Sequence, residues 1–121
     1  MNYIQSQGFS MNKFFFSVFG IITLTITSGN AAVYKGQKVY IEECRKCHPS
    51  GQEISYSRDK SQWKELMENK GDGLAKLHTS SKEAKKSWTY FESKQYSKRS
   101  RHLKDFMMEY AKDSGKVPAC D

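Results

Sequence analysis

The chain has no apolar run long enough for a comfortable membrane span, no second cysteine pair, no internal repeat and no linker. Each absence removes a class of protein. The apolar stretch at residues 14–26 is 13 residues long, against the roughly 20 that a spanning helix needs. A structural zinc site built from two cysteine pairs is excluded, because the chain has three cysteines in all. Without repeats or linkers, the chain beyond its N-terminal stretch reads as one domain. No methionine occurs between Met67 and Met107, which leaves that stretch without a thioether ligand for a metal. Nothing in the chain supplies an obvious acid–base pair for peroxidase-type chemistry.

The N-terminus carries the first positive signal. Lys13 precedes the apolar stretch, and the small, weakly polar residues Thr27, Ser28, Gly29, Asn30, Ala31 and Ala32 come after it. A basic start, a short apolar core and a small-residue zone make up a secretory signal peptide. Cleavage is expected after Ala31, with Ala32 as the alternative, and an uncleaved N-terminal anchor is the competing reading. Met11 is the better-placed start, which makes residues 1–10 an extension. The expected division is an extension and signal peptide over 1–31 and a single domain over 32–121. That domain is small for an apolar core of its own, so a bound group would supply part of the missing hydrophobic surface.

The full chain carries 20 Lys and Arg against 13 Asp and Glu, a formal charge of +7, and the expected leader removes only Lys13. Acidic partners are favoured. The basic run from Lys82 to Lys104, interleaved with Trp88, Tyr90, Phe91 and Tyr96, has the composition of a nucleic-acid surface. Export argues against that reading, and a solvated face accounts for the serines mixed into it.

The most specific signal is Cys44-Arg45-Lys46-Cys47-His48, the Cys-x-x-Cys-His spacing of a c-type haem attachment site. Two thiols three positions apart lie on nearly one face of a helical turn, so each can form a thioether with one vinyl group of a single porphyrin edge. His48 then supplies the proximal imidazole to iron. A thioredoxin-like motif, half of a zinc site or a simple disulfide are the competing readings of the cysteine pair. None of them needs a histidine directly after the second cysteine, and no βαβ pattern surrounds the motif. One covalent haem c is therefore expected, held by Cys44, Cys47 and His48, in the periplasm. Cys120 is left over, and a disulfide dimer through it is one possible use.

The remaining pattern is helical. An entry helix is expected over residues 33–44, with Gly36 and Tyr40 on it, and a loop over 49–58. Asp59 and Gln62 form a capping-box pattern ahead of the Trp63, Leu66 and Met67 stripe. Gly71-Asp72-Gly73 is expected to break that helix before a short face of Leu74, Leu77 and His78. Ser80 and Glu83 form a second capping-box pattern ahead of Ala84, Trp88 and Phe91. Leu103, Phe106, Met107, Tyr110 and Ala111 mark a last helix near 100–114, capped by Gly115.

This order resembles a small class I cytochrome c, on the strength of the haem motif at the end of a first helix and the amphipathic last helix. The resemblance implies an all-α fold, a small bundle of short helices around a covalent haem. It also implies that the first and last helices cross, with Gly36 and Tyr40 meeting Phe106 or Tyr110. Finally it implies a sixth ligand opposite His48, usually a methionine just before the last helix, where this chain has none. His78 is the leading candidate in its place and Met67 the alternative, with Met107, Met108 and His102 behind them and an open sixth site as the remaining case. The function expected is single-electron transfer between periplasmic or membrane-bound redox proteins with acidic docking patches. Arg45, Lys46, Arg58 and Lys60 would ring the haem edge. A haem-based ligand-binding or sensing module, or a haem subunit of an oxidoreductase, is the alternative if the sixth site is open.

Overall fold

The computed structural model describes residues 28–118, so residues 1–27 of the leader expected over 1–31, the start at Met11 and the role of Cys120 lie outside the described residues. Six α-helices run in order: α1 Ser28–Val39, α2 Gly51–Tyr56, α3 Lys60–Leu66, α4 Glu68–Thr79, α5 Trp88–Phe91 and α6 Lys94–Glu109. No strand occurs among the described residues, and the all-α class stands. The expected cleavage position after Ala31 falls within α1.

The most extensive helix pairing is between α1 and α6. A side chain on Gly36 would run into the carbonyl oxygen of His102 and come within 2.6 Å of the Phe106 Cβ. Only glycine lets the two backbones approach this closely. One turn further on, the Tyr40 and Phe106 rings lie 6.0 Å apart, so the expected crossing through Gly36, Tyr40 and Phe106 is present. Leu103, Phe106 and Met107 are all buried on α6, which is the stripe that their helical spacing requires.

Beyond Val39 the first helix widens into a π-helical turn, Tyr40–Cys44, in which the Arg45 N–H reaches back to the Tyr40 carbonyl at 3.0 Å. The turn carries the chain into Cys44 and Cys47. The Tyr40 hydroxyl donates to the Pro49 carbonyl, tying the far side of the motif to the same buried ring. Arg99 of α6 pairs with both Glu42 and Glu43 on the turn.

Four local expectations are corrected. Residues 49–58 include α2 rather than forming a loop throughout, because the Ser50 side chain caps a short helix by accepting the Glu53 N–H at 3.3 Å. The Asp59 and Gln62 capping box forms on α3 as expected, with bonds of 2.9 and 3.1 Å. The break after it falls earlier than Gly71-Asp72-Gly73, however. Asn69, Lys70 and Gly71 all have left-handed backbones, with φ of 49°, 63° and 78°, and Gly73 packs tightly against the Leu66 backbone. Ser80 caps the end of α4 rather than starting a new helix, its hydroxyl donating to the Lys76 carbonyl at 2.7 Å. Helix α6 begins at Lys94 because Ser93 caps it, and it ends at Glu109, so Gly115 (φ 69°) lies beyond the helix and does not cap it.

His102 sits at the α1–α6 crossing with its Nδ1 buried and without a hydrogen-bond partner. Burial, and then the nearby charges of Arg101 and Lys35, hold its pKa below the ordinary 6.5. Such a histidine binds fewer protons folded than unfolded, so its stabilising contribution is present above about pH 6.5 and is lost as pH falls below it. Urea unfolding between pH 7 and pH 5 should show stability decreasing, with a shallower decrease in His102→Gln; equal slopes would refute the assignment. Gly36→Ala should destabilise the fold by about 1–3 kcal/mol despite alanine's better helix propensity, because overpacking at the crossing dominates. A denaturant midpoint at or above that of the wild type would show that the helices can separate without cost.

Candidate functional site

Between the π-helical turn, α4, α5 and α6 lies a cavity of about 480 Å³, within the 300–1,000 Å³ range of small-molecule and cofactor sites. Ile54, Trp63, Leu66, Leu74, Leu103 and Met107 give it apolar walls, and Arg58, Glu83, Lys86 and Ser87 are among its polar lining. Cys44, Cys47 and His48 all line it from one side, and His78 lines it from α4.

The two imidazoles meet across this space. His48 Nε2 and His78 Nε2 lie 3.5 Å apart, with ring centroids 5.8 Å apart and ring planes at 78°. His78 is held on three sides. Its Nδ1–H donates to the Leu74 carbonyl at 2.8 Å, which leaves the lone pair on Nε2. Its ring stacks on Phe91, with centroids 4.2 Å apart and planes at 25°. The Trp88 indole N–H is shared between the His78 carbonyl at 2.9 Å and the Ser81 carbonyl at 3.1 Å, pinning the end of α4. Burial, and then the charge of His78, pushes the His48 pKa below its ordinary value, which favours the neutral form that can act as a ligand.

The thiols are unlike each other. Cys44 is half-buried, and burial, reinforced by Glu43 and Cys47, pushes its pKa up to about 12. Cys47 is exposed. Tyr90 also lines the cavity, with its hydroxyl buried and without a hydrogen-bond partner, an orphan polar atom that a bound group with a polar edge would satisfy.

His78 is thus brought to His48, and Met67 is not. Met67 is 3% exposed, packed in the core, and lines a different groove with Lys70, Arg101 and Lys104. Met107 does line the cavity, but its sulfur accepts the Ser55 hydroxyl at 3.4 Å. His102 belongs to the helix crossing, and Met108 packs at the edge of the core. Of the four basic residues expected around the haem edge, only Arg58 lines the cavity, stacked over Trp63 at 5.6 Å; Lys46 pairs with Glu43 at 3.7 Å. Sequence reasoning placed Trp88 and Phe91 on a helical stripe but missed that they hold His78. Their aromatic character ten and thirteen positions after it is the only signal present.

The arrangement brings two thiols and two opposed imidazole nitrogens to one cavity. Among the described residues no group of three or more His, Cys, Asp or Glu side chains is placed to hold a metal ion directly. In protein prepared with nothing attached to either thiol, an alkylating reagent at pH 8 should modify the exposed Cys47 at least about tenfold faster than Cys44, since the thiolate is the reactive form. Peptide mapping reads the two sites separately, and equal rates would contradict the burial of Cys44. No family model, curated protein or solved structure matches the chain, so the geometry alone bears on what this site does.

Proposed function

We propose that the chain is a monohaem c-type cytochrome of the periplasm, in which Cys44 and Cys47 would hold one haem covalently and His48 and His78 would ligate its iron, and that it carries single electrons between redox partners. The observation that carries this reading is the opposed pair of Nε2 atoms beside two thiols in an apolar cavity. At 3.5 Å they are farther apart than a good hydrogen bond requires. They are about half an ångström closer than two metal–imidazole bonds of about 2.0 Å each would set them. Two imidazoles without further protein donors suit a metal whose remaining ligands come from a macrocycle, and the Cys-x-x-Cys-His spacing names which macrocycle.

The remaining lining residues fit that group. Apolar walls exclude water from its faces, while Arg58, Lys86 and the serines of the cavity provide polar partners for its carboxylates. Haem supplies a reversible one-electron change at iron. The protein's contribution is to hold the ligands still. The Leu74 carbonyl orients His78 and makes it a more basic ligand, the Phe91 ring fixes its plane, and Trp88 fixes the backbone that bears it. A site closed by protein on both sides favours electron transfer over ligand binding. The net positive charge of the chain favours brief encounters with acidic patches on partner proteins.

Absorption spectra of the haem-loaded protein test this reading. Ferric and ferrous forms should both be six-coordinate and low-spin, with little reaction with carbon monoxide. His78→Ala should give a high-spin ferric form and a ferrous form that binds carbon monoxide rapidly, while Met67→Ala should keep the wild-type spectra. A His78→Ala protein that remains low-spin and closed would remove His78 as the ligand. A wild-type ferrous form that binds carbon monoxide at once would favour the sensing alternative.

A further inference from the structure

On the far side of Met67 from the core lies a second cavity of about 420 Å³, which shares no lining residue with the first. We propose that it binds a small oxyanion of the phosphate or sulfate type. Its lining comes from two elements. Ser97, Ser100, Arg101 and Lys104 stand at i, i+3, i+4 and i+7 on α6, one face of that helix. Facing them are Glu68, Asn69 and Lys70, where the chain makes its left-handed turn.

Three cations line this groove. Lys70, Arg101 and Lys104 converge on one groove, and none of them has an ion pair among the described residues. Lys104 is half-buried there. Three cations against the single carboxylate of Glu68 repel one another unless an anion joins them.

The backbone that brings Lys70 into the groove is strained. Asn69 and Lys70 are the two non-glycine residues with positive φ among those described, a conformation that persists only where its surroundings enforce it. Here Tyr96 enforces it, its hydroxyl donating to the Gly71 carbonyl at 2.7 Å, while a side chain at Gly71 would collide with the Tyr96 ring. The Tyr96 bond thus holds the turn that carries Asn69 and Lys70 beside the groove. The Arg101 guanidinium, two ammonium groups, the Ser97 hydroxyl and the Asn69 amide provide donors suited to the several acceptor oxygens of a tetrahedral oxyanion. That oxyanion can arrive free in solution or on a lipid headgroup.

Calorimetric titration of the full-length, haem-loaded protein with inorganic phosphate, in a low-salt buffer free of other oxyanions, tests the site. Saturable binding is expected, weakened about tenfold in Arg101→Gln and in Lys104→Gln, since each removes a charge-assisted contact. Glu68→Gln should tighten binding, because it removes the one opposing charge; circular dichroism confirms that each variant is folded. Co-sedimentation with phosphatidylglycerol vesicles distinguishes the source. Vesicle binding that phosphate competes away assigns the site to a headgroup, and phosphate binding without vesicle binding assigns it to a free anion. The proposal is overturned by absence of saturable phosphate binding up to about 10 mM, or by equal binding in the wild type and the two cation variants. Vesicle binding that persists unchanged in those variants, with no phosphate binding, also overturns it.

Discussion

Everything that positions the candidate site depends on how closely α1 approaches α6 at Gly36. The absence of a side chain there lets the backbone reach the His102 carbonyl and the Phe106 Cβ, and this sets how deep Tyr40 enters the core. Tyr40 in turn holds both ends of the cysteine motif. It begins the π-helical turn that leads into Cys44, and its hydroxyl anchors the Pro49 carbonyl just after His48. The same stretch of α6 supplies Leu103 and Met107 to the cavity wall. A crossing opened by one methyl group would displace the thiols, the first imidazole and the wall together, because interiors packed at crystal density transmit such shifts instead of absorbing them.

The second imidazole reaches the site by an independent route. His78 is near the end of a helix that restarts after a left-handed turn, and the turn is held by Tyr96 from α6. Phe91 joins the two parts: it stacks on His78 at 4.2 Å and meets Tyr96 edge-on at 4.8 Å. Helix α6 therefore braces both halves of the cavity, through Phe106 on the cysteine side and Tyr96 on the His78 side. That division explains why a chain this small can hold two opposed side chains with their ring nitrogens 3.5 Å apart. Each has its own short chain of contacts to one rigid helix, and neither depends on a long loop.

Much of this was legible in the sequence where the signal is local. The Asp59 and Gln62 capping box, the α6 stripe and the Cys-x-x-Cys-His spacing each lie within a few residues, and periodicity or side-chain reach alone constrains them. Gly36 opposite Phe106 came from a resemblance, and it is found in the packing. Legibility failed where tertiary contacts outweigh propensity. Ser80 and Glu83 satisfy the capping-box pattern, yet the Ser80 N–H and hydroxyl both donate to the Lys76 carbonyl of the preceding helix and the Glu83 carboxylate accepts from the Ser81 hydroxyl, so these groups are already used. Asn69 and Lys70 take left-handed backbones together with Gly71, although only the glycine adopts that conformation without steric cost. No local rule anticipates this, because the reason is the Tyr96 hydroxyl, bonded to a carbonyl 25 residues away in the chain. The preference for His78 over Met67 was chemical inference at the level of sequence. Their separation is spatial, one in the cavity and the other in the core.

The choice of a histidine on a helix, where a methionine on a loop is the familiar arrangement, has a physical consequence for the proposed carrier. A ligand on a loop is held mainly by its bond to the metal, so its position changes as that bond strengthens or weakens. His78 is held by a backbone carbonyl of its own helix, a stacked ring and an indole clamp, all of which exist without any metal. The placing of His78 opposite His48 at 3.5 Å is thus set by contacts of the fold itself. Imidazole is also a stronger donor than a thioether, and hydrogen bonding at its second nitrogen strengthens it further. With His78 as the ligand of the proposed carrier, such a donor would favour the oxidised metal over the reduced one. Two opposed imidazoles braced by one helix would suit the proposed carrier better than a centre that opens to bind substrate.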